Sequence, residues 1–84
     1  MTIQKEEGRA VIYREDGFML AECDYTEDQD IVTITHTFVD DSLRGQGLAA
    51  KLVETVLEVA KDKKKAVKAT CSYARSYLAK HPQA

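Results

Sequence analysis

The reading of the chain turns on residues 39–49, Val39-Asp40-Asp41-Ser42-Leu43-Arg44-Gly45-Gln46-Gly47-Leu48-Ala49. A β-branched run ends at Val39, a polar loop follows, and two glycines alternate with other residues. From Leu48 the apolar period becomes helical: Leu48, Leu52, Val56 and Val59 recur at i, i+4, i+8 and i+11, widened by Val53, Leu57 and Ala60. Glycine has no Cβ, so backbone and ligand can approach closely, and a helix start leaves N–H groups unpaired. Together with the positive end of the helix dipole they form a site for a phosphate. Arg44 adds a guanidinium fork suited to phosphate oxygens. An ordinary strand-to-helix turn requires neither two glycines nor an arginine.

Upstream of this junction the pattern is β. Residues 9–14 are β-branched and aromatic, and Asp16-Gly17 after them signals a tight hairpin with both central residues at φ > 0. The run 18–25 sets Met19, Ala21, Cys23 and Tyr25 against Leu20, Glu22 and Asp24, one face buried and one wetter. An acidic turn over 26–30 leads to a third run, 31–39, in which Thr33, Thr35 and Thr37 alternate with Val32, Ile34, His36 and Phe38. These three strands are expected to form an antiparallel meander. Downstream, lysines at 61–65 close the helix, where cations suit its carbonyl end. Residues 66–70 read as a short strand, and a second helix over 72–80 stops at His81-Pro82. The expected fold is α+β in the order β-β-β-α-β-α. Its right-handed β-α-β crossover lays the last strand parallel to the third.

Composition narrows the field. Eighty-four residues, 44% hydrophobic and 31% charged, support one small domain with a thin core. Four Gly and one Pro argue against collagen-like or Pro/Gly-rich disordered chains. No apolar run reaches the ~18 residues of a membrane span, and no secretory h-region stands at the N-terminus. Two Cys in such a chain point to free thiols and a cytoplasmic location. The net charge of −2 hides a split. Residues 1–43 hold eleven acidic and three basic residues, whereas residues 44–84 hold nine basic and three acidic. The two halves either face partners of opposite sign or attract each other. Nucleic acid is not an expected partner, because the lysine run lacks interleaved aromatics.

Three phosphate ligands compete for the loop. A Walker-type loop needs a Lys-Ser/Thr pair after the glycines, and none follows. Gly45-Gln46-Gly47-Leu48-Ala49-Ala50 reads as a dinucleotide fingerprint, but that motif requires an acid about 20 residues on. Here Lys65, Ala66, Val67 and Lys68 occupy that stretch. Arg44-Gly45-Gln46-Gly47-Leu48-Ala49 fits R-x-x-G-x-A, the acyl-CoA pyrophosphate signature, and the chain resembles the GNAT superfamily of N-acetyltransferases. It is similar to the small stand-alone YjdJ-like branch, where Thr-His-Thr, Leu-Arg-Gly-Gln-Gly-Leu-Ala and Cys-x-Tyr occur together. Here they are Thr35-His36-Thr37, residues 43–49 and Cys71-Ser72-Tyr73. The resemblance spans roughly residues 9–82.

The resemblance implies acetyl-CoA as co-substrate and no metal. It implies that backbone N–H groups of Arg44, Gly45, Gln46, Gly47, Leu48 and Ala49 hold the CoA pyrophosphate. The pantetheine arm would run between the splayed ends of the two parallel strands, pairing near Phe38 and Val39. The basic half of the chain then faces an anionic cofactor.

For catalysis, GNAT enzymes commonly carry N-x-x-A-x-x-x-Y on the last helix, with the Tyr protonating the CoA sulfur. This chain has Cys71-Ser72-Tyr73-Ala74-Arg75-Ser76-Tyr77, with Cys in place of Asn and the Tyr one place early. Tyr73 and Tyr77 at i, i+4 share a helix face and can simply pack. Cys71 falls at a strand-to-helix junction, where a thiol has a lowered pKa and is a competent nucleophile. It is either an acetyl carrier, with His36 as base, or a small buried hydrophobe. His36 has the parity of Val32, Ile34 and Phe38, which suits a hydrogen-bonded core histidine as well as a base. Cys23 reads as core. His81 is expected to be exposed.

The expected function is acetyl transfer to an unidentified amine; the alternative is a non-catalytic acetyl-CoA-binding protein or sensor. Only about eight residues precede the first expected strand. An acceptor would then be a protein tail or would meet a dimer partner, with the chain a monomer or a weak homodimer. Acidic residues such as Glu22, Asp24, Glu27, Asp28 and Asp30 could attract a cationic amine or be scattered solvated charge.

Overall fold

The computed structural model describes residues 2–81. Three strands, β2 (Arg9–Tyr13), β3 (Met19–Glu27) and β4 (Ile31–Val39), form the expected antiparallel meander. A 3-10 turn (Asp41–Leu43) leads to α1 (Leu48–Asp62), β5 (Ala66–Ala69) and α2 (Ser72–Lys80). Strand β5 runs parallel to β4, as the crossover required. The α+β layout holds, with one addition: β1 (Gln4–Glu6) pairs antiparallel to β2 and makes the sheet five-stranded, in the order β1 to β5. All three β1 residues are exposed, so no alternation of apolar and polar side chains marks it in the sequence. Pro82, expected to stop the last helix, lies outside the described residues, and His81 is the C-cap.

The first hairpin differs from the expected tight turn. Gly17 N–H donates to the Arg14 carbonyl (2.9 Å) and Arg14 N–H to the Phe18 carbonyl (2.7 Å), enclosing a three-residue loop. Only Gly17 has positive φ, +89°. A turn ending in one left-handed residue needs a single glycine, so Asp16 stays at negative φ. Its carboxyl is held down at about 2, chiefly by the Arg14 guanidinium that hydrogen-bonds it at 2.6 and 2.9 Å.

One sheet face carries the core. Ala10, Ile12, Ala21, Cys23, Tyr25, Val32 and Ile34 pack under Leu52, Val53 and Val56 of α1, and Ala74 of α2 joins the same cluster. Both helices therefore cover the same face. Leu52 is completely buried, and shortening it leaves a cavity that a thin core cannot close. Leu52→Ala is expected to cost ~2–5 kcal/mol, read as a lower urea midpoint with an unchanged m-value. The charge split is used internally at one end. Lys63 Nζ lies 2.7 Å from Glu27 Oε1, and Lys65 Nζ donates to the Asp28 carbonyl at 2.7 Å. These contacts tie the basic end of α1 to the acidic turn between β3 and β4.

A β-bulge in β4 positions the site. Tyr25 pairs with Ile34, but the next residue of β3, Asp24, pairs with His36, leaving Thr35 as the extra residue. Side-chain parity reverses there. Val32 and Ile34 are buried on the core face before the bulge. After it, Thr37 and Val39 face the core-side Cys23 and Ala21, while His36 and Phe38 oppose Asp24 and Glu22 on the uncovered face. Of the two readings of His36, this rules out the core histidine: His36 is exposed, and Phe38 is 39% exposed. The extended alternation read from sequence assumed an unbroken ladder.

Candidate functional site

The loop between β4 and α1 is built by short-range contacts. Asp40 Oδ2 accepts from Ser42 N–H at 3.0 Å and from Ser42 Oγ–H at 2.6 Å, which starts the 3-10 turn. Leu43 is buried and anchors the loop to the core. Beyond it the chain rises into solvent: Arg44, Gly45, Gln46 and Gly47 are all exposed. Arg44 Nε rests 2.8 Å from Asp41 Oδ1, with both side chains more than three-quarters exposed. Such an open pair exchanges readily for another anion. Gly45 and Gly47 have φ of +84° and +70°, and Gly47 is the N-cap of α1 without a side-chain cap. A Cβ at either glycine would meet nothing within 4 Å beyond its own stretch of chain. The left-handed backbone, and not crowding, is what demands glycine here. Leu48, Ala49 and Ala50 open the helix with N–H groups that have no intrahelical partner, and no acidic residue lies in the first turn.

Beside this loop the parallel strands part. Pairing of β4 with β5 runs only from Ile31–Ala66 to Ile34–Ala69. The Ile34 carbonyl then accepts from both Thr70 N–H (3.0 Å) and Cys71 N–H (3.3 Å), turning the chain off into α2. Residues 35–39 of β4 continue paired to β3 alone, so their other edge, which includes Phe38 and Val39, faces no β5 residue. A free strand edge offers backbone donors and acceptors to an extended ligand. The bulge, the end of β5 and the start of α2 thus meet around Ile34.

Cys71 is the N-cap of α2 and is half-buried. Its Sγ–H donates to Thr37 Oγ1 at 3.4 Å. Burial pushes the Cys71 thiol up, but the Thr37 hydroxyl and the nearby N–H groups of Ala74, Tyr73 and Thr37, which favour the charged sulfur, outweigh it, so the net direction is down. Cys23 is fully buried and pushed up to about 11 by that burial, as fits a core thiol. Adjacent residues of β4 beyond the bulge point to opposite faces, so Thr37 meets Cys71 while His36 lies on the uncovered face, paired in register with Asp24. The structure brings Cys71 and Thr37 together but does not join His36 to Cys71. Sequence reasoning missed Thr37; its only signal was the Thr35-His36-Thr37 block.

On the uncovered face near His36, Arg9 approaches Glu22 and Asp24 at 4.0 Å each. Burial and the neighbouring Asp24 carboxylate push the Glu22 carboxyl up. On α2, Tyr73 is 40% exposed, whereas Tyr77 stacks on His81 at a centroid distance of 4.3 Å. A cavity of about 950 Å³ lies between α1, β5 and α2, walled by Leu57, Lys61, Lys64, Lys65 and Tyr77 among others. None of its walls comes from residues 44–49. Among the described residues no group of three or more His, Cys, Asp or Glu could hold a metal, and no helix is long and apolar enough to cross a membrane.

Comparison with known proteins places this arrangement. The profile of the GCN5-related N-acetyltransferases matches residues 9–84. A GCN5-like N-acetyltransferase candidate from Staphylococcus aureus is 35% identical, over 94% of this chain and 78% of that one, with a TM-score of 0.77. Glucosamine-6-phosphate N-acetyltransferase from Arabidopsis thaliana shares the fold at a TM-score of 0.71 and 21% identity, over 93% of this chain and 61% of its own. A GNAT acetyltransferase from Elizabethkingia anophelis, with acetyl-CoA bound, does so at 0.60 and 18%, over 88% and 52%. No curated protein matches the chain in sequence. With a family profile covering nearly its whole length and a bulged strand beside a glycine loop, the chain belongs to the GCN5-related N-acetyltransferases, enzymes that transfer an acyl group from CoA to an amine.

Proposed function

We propose that the chain binds acetyl-CoA along the parted edge of β4 and moves the acetyl group to an amine by way of Cys71. The observation that carries this reading is the junction at Ile34, where a half-buried thiol opens α2 beside the free edge of β4, an edge that runs on toward the helix-capping glycine loop. The pyrophosphate is assigned to the N–H groups of Arg44, Gly45, Gln46, Gly47, Leu48 and Ala49, with the Arg44 guanidinium released from Asp41 to join them. The pantetheine arm is assigned to the backbone near Phe38 and Val39. The basic second half of the chain suits this polyanionic cofactor, and no individual lysine is assigned to the 3′-phosphate.

In the first step the Cys71 thiolate attacks the thioester carbonyl; the new S–C bond forms as the bond to CoA sulfur breaks, and CoA leaves as its thiolate. In the second step the acceptor nitrogen attacks acetyl-Cys71, the sulfur leaves as thiolate again, and the amine proton passes to water. His36, on the opposite sheet face from Cys71, takes no part in this step. Glu22 and Asp24 lie on the same face and favour a cationic amine. A thiol with its pKa driven down is the reagent this scheme needs near neutral pH.

The test is intact-protein mass spectrometry after incubation with acetyl-CoA, followed by free-thiol release with a panel of amines. One acetyl group on the wild-type chain, discharged when amine is added, is expected. Acetyl-CoA binding without thiol release would instead identify a sensor.

A further inference from the structure

We infer that Thr37 is the positioning residue for Cys71, its hydroxyl shared between the Cys71 and Cys23 sulfurs and turned to the former when that thiol ionises. The inference rests on the reading of Cys71 as acetyl carrier. Thr37 Oγ1 accepts from Cys71 Sγ–H at 3.4 Å and donates to Cys23 Sγ at 3.9 Å. One hydroxyl therefore links two thiols, on β3 and at the start of α2, through a single residue of β4. A hydroxyl hydrogen rotates about its C–O bond and can serve either neighbour. While Cys71 is a thiol it is the donor, and the Thr37 hydrogen rests on Cys23. Once Cys71 has lost its proton it can only accept, and the charged sulfur outcompetes the neutral one for that hydrogen.

The arrangement is asymmetric in the way a carrier requires. Cys23 is fully buried and held neutral, so it serves as the resting acceptor and never competes as a nucleophile. Cys71 is half-buried and reachable, and the N–H groups of Tyr73 and Ala74 already favour its charged form. Thr37 is β-branched and sits in a paired strand, which restricts its χ1 and fixes the oxygen. The titratable groups around the pair are Cys23 on β3, with Glu22 and Asp24 on the other face of that strand, and His36 across β4. Tyr73 on α2 is pushed up by burial, and Glu54 on α1 adds to that shift. The bulge at Thr35 is what turns Thr37 toward the two sulfurs.

The test follows alkylation of Cys71 by iodoacetamide across a pH series, read by intact mass, in wild type, Thr37→Val and Thr37→Ser. Cys23 is buried, so a single adduct reports Cys71, and Cys71→Ala provides the blank. Thr37→Val keeps the shape and removes the hydroxyl. It is expected to slow alkylation at pH 7 roughly fivefold and to move the midpoint to higher pH. Thr37→Ser, which restores the hydroxyl, is expected to stay within about twofold of wild type. Equal profiles for all three overturn the inference, as does Thr37→Ser behaving like Thr37→Val. If Thr37→Val fails to give a folded spectrum, Thr37→Ala against Thr37→Ser provides the same comparison. Alkylation does not involve acetyl-CoA. Failure of wild type to acquire an acetyl group would therefore sink the carrier reading separately, and an unmoved profile would sink only the role of Thr37.

Discussion

Gly47→Val is expected to remove detectable acetyl-CoA binding while leaving the sheet and both helices in place. Gly47 caps α1 at φ +70°, a region that costs an L-residue about 1–2 kcal/mol and a β-branched one more. Beyond its own stretch of chain nothing lies within 4 Å of the added Cβ, so the damage is confined to the backbone torsion. The loop relieves that strain by rotating Gly47 out of the left-handed region, which redirects the N–H groups ahead of the helix. Those groups are the ones assigned to the pyrophosphate, and every ~1.4 kcal/mol lost there is a tenfold loss of affinity. A small domain holds roughly 5–15 kcal/mol of stability, enough to absorb the strain. An NMR titration should show a dispersed spectrum that acetyl-CoA no longer shifts. Unchanged affinity would remove the loop from the cofactor site.

The second large effect belongs to Cys71→Ala. Acetyl-CoA should still bind, because Cys71 lies outside residues 44–49. The acetyl adduct should vanish, and amine-dependent thiol release should fall by on the order of a hundredfold or more, since the attacking atom is gone. The pH dependence carries a further expectation. The thiolate is the reactive form and its pKa is depressed, so the first half-reaction should rise with pH and level off below the range of an ordinary thiol. Full activity in Cys71→Ala, together with an unmodified wild-type chain, would establish direct transfer.

The sequence was most legible in where its elements begin and end. Strand β4 and helix α2 have the bounds that their patterns implied, 31–39 and 72–80, because an acidic turn and a glycine loop flank the first and His81-Pro82 follows the second. The glycine junction was legible for a different reason: few local structures need two left-handed residues before a helix. What escaped was set by pairing between strands. Nothing in Thr35 itself announces a bulge, since the extra residue is defined only against the register of β3. The faces assigned to His36 and Phe38 were therefore inverted, and Thr37 was passed over as one of three alternating threonines. Strand β1 escaped because Gln4, Lys5 and Glu6 have no buried face; their pairing rests on backbone hydrogen bonds to β2.

The bulge at Thr35 also divides the genetic changes this strand can accept. Thr35 is exposed, and its side chain makes one long contact, 3.4 Å from its hydroxyl to the Asp24 carbonyl, so replacing it alters little. Deleting it takes away the kink but not the faces. His36 would follow Ile34 directly and keep Asp24 as its partner, and Thr37 would still oppose Cys23, because the extra residue is the one that has no partner in β3. What one lost codon removes is the local bend and added twist of the strand, at the level where β5 leaves the sheet. The extra residue serves the shape of the strand's edge, and the side chains beyond it would keep their places without it.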